Sequence, residues 1–194
     1  HMMTLPNILT LSRIALIPIF IGLFYLQPDY LGETLPWINN LLVVIFVIIS
    51  LTDFFDGLLA RKLNQISELG TFLDPVADKL MVCTALILLT NHHQLWLITI
   101  PSIIIISREI LVSALREWMG EIGKRANISV SWIGKSKTFM QMISILFLLY
   151  QQSLFIFSSK DIYTIGLVLL FSATILTLWS GFNYLTAGLK TFDS

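Results

Sequence analysis

Six stretches of this chain, near residues 8–26, 36–56, 75–90, 95–114, 138–157 and 162–186, are dominated by Leu, Ile, Val and Phe. Short links such as Gln27–Pro36 and Asn91–Gln94 join them. About 20 residues of helix cross the hydrocarbon core of a bilayer. Lipid offers no partner to an open backbone N–H or C=O, so such runs are confined to self-satisfied helices. The expected fold is therefore all-α: an integral membrane bundle of six transmembrane helices. The third run is short and marginally apolar, which leaves five spans plus a buried segment as the competing count. Composition agrees, since only 12% of the 194 residues are charged, against roughly 25% in soluble domains. No repeat, low-complexity tract or composition shift marks a boundary, so one membrane domain is expected over residues 3–190. His1-Met2 ahead of Met3 resembles a cloning remnant, and no small-residue cleavage site follows the first run, which is not read as a removable signal peptide. A lone Cys83 excludes an internal disulfide.

The net charge of zero conceals an asymmetry. With the N-terminus inside, six spans put Arg13, Arg61, Lys62, Lys79, Arg116, Lys124, Arg125, Lys135, Lys137 and Lys190 at or near cytoplasmic ends. Arg108 falls within a span, and Lys160 alone lies outside. Because cytoplasmic loops are enriched in Lys and Arg, both termini are expected in the cytoplasm. Membrane lipids surround such a chain, and no nucleic-acid partner is expected.

Four aspartates interrupt the oil in "TDFFDGLLARKLNQISELGTFLDPVADKL", residues 52 to 80. Asp53 and Asp56 are three apart and share a helix face if the second span continues through them; Asp74 and Asp78, four apart, do the same on the third. Asp74-Pro75 reads as an N-cap followed by proline at the first helical position, which starts the third span at Asp74. Two carboxylates about 4 Å apart repel by roughly 4 kcal/mol at an effective dielectric near 20, so four together require protons or cations. Carboxylate oxygens without His or Cys suit hard divalent ions, Mg²⁺ or Mn²⁺ where phosphates are also bound. Gly57, Ala60 and Gly70 remove bulk beside the aspartates, either for a large ligand or for close helix packing. Arg61 offers a planar fork to phosphate oxygens, or snorkels to the interface.

The pattern Asp53-x-x-Asp56-Gly57-x-x-Ala60-Arg61, eight residues, Gly70-x-x-x-Asp74-x-x-x-Asp78 resembles in full the motif of the CDP-alcohol phosphatidyltransferases. The resemblance implies transfer of a phosphoalcohol group from a CDP-linked donor to an alcohol, with release of CMP and two divalent metals. It implies Asp53, Asp56 and Asp74 as metal ligands, Asp78 as ligand and general base, and Gly57, Ala60, Arg61 and Gly70 along the CDP moiety. It also implies a six-helix membrane fold and a homodimer. "NILTLSRIALIP", "SREILVSALREW" (107–118) and "VSWIGKSKTFMQM" (130–142) are similar to the bacterial branch whose donor is CDP-diacylglycerol and whose acceptor is glycerol 3-phosphate. That branch implies the bacterial inner membrane, and the Lys and Arg asymmetry puts the aspartate stretch, at the end of span two and the start of span three, on its cytoplasmic face.

Charge gives that acceptor a separate rationale. Glycerol 3-phosphate is a small dianion, and Arg108, Arg116, Lys135 and Lys137 lie on the fourth and fifth spans, where their donors could hold a phosphate. Glu109 and Glu117, each following an arginine, are expected as charge partners within the bundle, and Lys124 and Arg125 as headgroup anchors. His92 and His93 are expected in a short outside loop. A neutral acceptor end, as in CDP-dependent cardiolipin synthesis, would not need the whole basic cluster. An aspartate-rich prenyltransferase or a divalent-cation transporter are the more distant alternatives.

Overall fold

The computed structural model describes residues 4–26, 36–64, 67–123 and 132–192. Six α-helices account for most of them: α1 (Leu5–Tyr25), α2 (Pro36–Lys62), α3 (Glu68–His93), α4 (Trp96–Glu121), α5 (Trp132–Tyr150) and α6 (Ser159–Phe192). By length and composition α1, α4 and residues Ser159–Lys190 of α6 are apolar enough to cross a membrane, while α2 and α5 carry shorter apolar stretches, Trp37–Asp53 and Ser136–Tyr150. The expected all-α membrane fold is thus observed, and α3 is the least apolar of the six helices. Lys124 and Arg125 lie outside the described residues.

The chain forms two compact units, His1–Leu89 with Leu149–Gln152, and Thr90–Leu148 with Ser153–Ser194. In the first, Thr4 caps α1 by accepting from the Asn7 backbone N–H at 3.4 Å. Ile17, Phe20 and Phe24 then bury the face set by their three- and four-residue spacing. Leu42, Ile45, Phe46 and Ile49 do the same on α2, and Met81, Ala85, Leu88 and Leu89 on α3. The opposite faces, with Leu11, Ile19, Val44, Ile48 and Ile87, stay exposed, as hydrocarbon-facing side chains do. Lipid tails are as apolar as these cores, so the helices are held by packing and polar contacts rather than by expulsion of water.

In the second unit α4 buries Ile98, Ile105, Val112 and Met119, one residue every two turns. These form a single seam along the helix, as a seven-residue repeat requires. A tight turn from Leu154 to Phe157, closed by reciprocal backbone bonds of 3.0 and 2.9 Å, precedes α6. There Ser158 and Asp161 cap one another: the Asp161 N–H donates to Ser158 Oγ at 3.2 Å, and the Ser158 N–H to Asp161 Oδ2 at 3.1 Å.

Two local expectations are corrected. α3 starts at Glu68 rather than Asp74, with Pro75 inside the helix. Ser67 is the cap, its Oγ accepting the Gly70 backbone N–H at 3.0 Å, so the helix is nucleated before the Asp-Pro pair is reached. Pro75 cannot donate to the Thr71 carbonyl, a local loss the surrounding helix tolerates. His92 and His93 are the last turn of α3 instead of a loop, and the His93 ring lies 5.0 Å from that of Tyr163.

Candidate active site

In the first unit, α2 runs as a helix to Lys62, past the end of its apolar stretch at Asp53. Asp53, Asp56, Gly57, Ala60 and Arg61 therefore share one continuous helix, followed by Asn64 in the left-handed region at φ 53°. The side-chain surroundings of Asp56, Gly57 and Ala60 lie outside what is described. Arg61 is exposed at the helix end.

Three of the four aspartates meet at a residue from α1. Arg13 Nη1 donates to Asp53 Oδ1 at 2.9 Å and to Asp78 Oδ1 at 3.0 Å, and Nη2 lies 3.5 Å from Asp74 Oδ1. The guanidinium is 1% exposed, while the three carboxylates are roughly 40% exposed. Thr10, one turn before Arg13, donates to Asp74 Oδ1 at 2.7 Å and accepts from Arg13 Nη2 at 3.3 Å. One turn earlier still, Asn7 Oδ1 accepts from the Ser67 hydroxyl at 3.1 Å. Asn7, Thr10 and Arg13 thus form a buried polar stripe on an otherwise apolar helix, facing the start of α3 and the aspartates.

Gly70 has a definite steric role. A Cβ there would come within 2.8 Å of Asn7 Oδ1 and 3.2 Å of Ser67 Oγ, so a side chain is excluded unless Asn7 shifts. The space beside Gly70 belongs to α1, and the glycine allows the stripe to approach α3.

The donors fit a hard divalent cation by chemistry. All are carboxylate oxygens, three converge on a single guanidinium, and one positive charge cannot balance three negative ones. Among the described residues no group of three or more His, Cys, Asp or Glu is arranged to hold a metal ion; the shared partner of Asp53, Asp74 and Asp78 is the Arg13 guanidinium. A metal would draw on the remaining carboxylate oxygens and on Asp56.

The second unit carries the basic residues. Glu109 Oε1 accepts from Arg108 Nη1 at 3.2 Å and pairs with Lys137 Nζ at 3.6 Å, which is the charge-partner role expected for it. Lys137 is 7% exposed, so two cations share one carboxylate in a largely dehydrated place and leave a net positive charge. Arg108 Nε is buried with no acceptor among the described residues. Two turns along α4, the exposed Arg116 donates through Nε to Tyr184 Oη at 3.0 Å and lies over that ring at 5.2 Å. Lys135 opens α5, with its side chain outside what is described.

Gly181 of α6 faces this cluster. A Cβ there would stand 3.2 Å from Arg108 Cγ, so the glycine leaves room for the arginine stem. Arg108 also borders a cavity of about 510 Å³ between α4 and α6, whose wall is apolar except at Ser107, Arg108 and Thr177. Such a lining suits hydrocarbon.

Sequence reasoning placed Arg13 among the cytoplasmic anchors and passed over Thr10, Asn7, Ser67 and Tyr184. A usable signal was present: polar residues at 7, 10 and 13 recur at helical spacing inside an apolar run, and an ionisable group in such a run is functional by default.

Comparison with known proteins agrees with the motif. The family model for CDP-alcohol phosphatidyltransferase matches residues 3–179. Relatives named CDP-diacylglycerol--glycerol-3-phosphate 3-phosphatidyltransferase from Salmonella typhimurium, at 45% identity, and Escherichia coli, at 44%, align over 183 residues, covering 94% of this chain and 93% of each relative. A relative of the same name from Shigella flexneri is 44% identical over the same coverage. With a motif matched at every fixed position, and with three of its aspartates gathered at one point, this chain belongs to the CDP-alcohol phosphatidyltransferase family.

Proposed function

We propose that this chain transfers the phosphatidyl group of CDP-diacylglycerol to sn-glycerol 3-phosphate, giving phosphatidylglycerophosphate and CMP. The observation that carries the reading is the convergence of Asp53, Asp74 and Asp78 within a chain similar end to end to relatives of that name. Asp53, Asp56, Asp74 and Asp78 would hold two divalent cations, Mg²⁺ or Mn²⁺. Bound there, the metals would offset charge on the donor diphosphate and on departing CMP.

Asp78 is the general base. It takes the proton of the acceptor 1-hydroxyl as that oxygen bonds to the donor β-phosphorus, and the bond from that phosphorus to the CMP oxygen breaks. Gly57, Ala60, Arg61 and Gly70 flank the CDP moiety, with Gly70 also seating Asn7. Positioning and electrostatics supply most of the rate in phosphoryl transfer, so the carboxylates must be held where substrate and metal need them. The protein acts as a homodimer in the bacterial inner membrane, with its aspartates facing the cytoplasm.

Arg108, Arg116, Lys135 and Lys137 hold the acceptor phosphate. Support comes from the surplus charge around Glu109 and from the buried Arg108 Nε, whose N–H lacks an acceptor among the described residues. Arg116→Ala is expected to raise the KM for glycerol 3-phosphate at least about tenfold, near 1.4 kcal/mol of lost binding, with little change for CDP-diacylglycerol. Tyr184→Phe removes only the hydroxyl that fixes Arg116 and should move the same KM in the same direction by less. Equal effects on both substrates, or none, would make Arg116 a membrane anchor.

The deciding experiment gives purified protein CDP-diacylglycerol and a panel of alcohols, then quantifies CMP and identifies the lipid. Phosphatidylglycerophosphate from glycerol 3-phosphate is the expected product. Cardiolipin made from phosphatidylglycerol would keep the chemistry and replace the acceptor.

A further inference from the structure

We infer that Arg13 is a built-in counter-cation that positions the aspartate cluster, holding carboxylates of two helices around one guanidinium in the neighbourhood where metal would bind; the inference rests on the metal-dependent reading above. The geometry is specific to a guanidinium. Nη1 serves Asp53 on α2 and Asp78 on α3, while Nη2 serves Thr10 and approaches Asp74. One rigid fork thus sets the relative placement of carboxylates from two helices, which a single ammonium point could not do. The Oδ1 atoms of Asp53 and Asp78 share the same Nη1, so they can be no farther apart than the sum of two hydrogen bonds.

Burial makes the arrangement obligatory. At 1% exposure the guanidinium has almost no water to solvate it, and a buried charge without its partners is strongly unfavourable. The carboxylates are equally constrained, because their mutual repulsion grows if the cation between them is removed. Thr10 and Asn7 complete the device, the first orienting Arg13 Nη2 and Asp74, the second tying α1 to the Ser67 cap of α3.

It follows that Arg13 and divalent metal do overlapping electrostatic work, so their contributions to stability must be coupled. A residue that merely packed would contribute the same amount with metal or without it.

The test uses the full chain in lipid nanodiscs, with apparent Tm measured in chelator and in saturating Mg²⁺, and Mn²⁺ binding followed by electron paramagnetic resonance. In wild type the two Tm values should differ modestly. In Arg13→Gln the loss should be concentrated in chelator, making the Mg²⁺-dependent Tm increment larger than in wild type by about 5 °C or more, on the scale expected for a chain of this size. Arg13→Lys retains the charge and should keep most of the stability in chelator, while lowering turnover at saturating Mg²⁺ because the fork is lost. Should Arg13→Gln fail to fold in either condition, Arg13→Gln combined with Asp78→Asn decides. Recovery in chelator supports the inference, since a negative charge has been removed with the positive one, and continued failure overturns it. An equal Tm loss in both conditions, with wild type binding Mn²⁺, overturns the role of Arg13 and leaves the metal reading intact. Absence of Mn²⁺ binding and of any Mg²⁺ effect in wild type overturns both.

Discussion

Asp78→Asn is expected to bind CDP-diacylglycerol about as well as wild type and to release CMP about 10²-fold more slowly or worse, the usual scale for losing a general base. The substitution is well matched to the site. Asn keeps the length of the side chain and an Oδ1 that can still accept from Arg13 Nη1, a bond of 3.0 Å in the native chain. What disappears is the negative charge and the ability to take a proton. Asp78 is about half exposed, so its carboxyl group is open to substrate while Oδ1 is held by Arg13. CMP release with both substrates saturating, alongside a separate measurement of donor binding, separates these effects. Near-normal turnover in a folded variant would assign Asp78 to metal binding or structure alone.

How far the sequence reaches depends on how local the determinant is. Helix content follows from runs of apolar residues that bilayer thickness makes interpretable one at a time, and the six runs fall on six helices, except that the fifth, expected over 138–157, leaves the helix after Tyr150 and ends in the Leu154–Phe157 turn. The motif aspartates were legible for a similar reason, because spacings of three and four fix a helix face without knowledge of any partner. Arg13 was not legible as part of the site, because its partners Asp53, Asp74 and Asp78 lie 40, 61 and 65 positions away. Read alone, a lone arginine near a span end is a headgroup anchor, and only tertiary packing turns it inward. The start of α3 shows competition between two local signals. Asp-Pro is a good helix opening, but Ser67 precedes it and binds the Gly70 N–H, so the earlier cap prevails and Asp74 is released to bind α1. Gly70 combines both kinds of determinant: its lack of a side chain is visible in the sequence, whereas the atom that needs the room, Asn7 Oδ1, belongs to another helix.

Chelation is expected to reduce CMP release to background, and Mg²⁺ or Mn²⁺ to restore it. The physical ground is a charge imbalance at one point of the first unit. One guanidinium faces three carboxylates, with Asp56 as a fourth on the same helix as Asp53, and the donor brings a diphosphate of its own. An uncompensated meeting of these anions is repulsive, so substrate binding and leaving-group departure both need added positive charge. Mg²⁺ demands near-octahedral oxygen coordination at about 2.0–2.1 Å, whereas Ca²⁺ takes longer and looser contacts, so Ca²⁺ should occupy the carboxylates and restore turnover poorly. Asp56→Asn distinguishes metal binding from proton transfer. Loss of one ligand charge should weaken metal affinity, so its defect should shrink as Mg²⁺ is raised, while the defect of Asp78→Asn as a base should persist at every concentration. Both variants should stay folded, because each removes a negative charge from a crowded cluster. A titration of activity against Mg²⁺ for wild type and the two variants reads all of this at once, and full turnover in excess chelator would sink the metal-dependent mechanism.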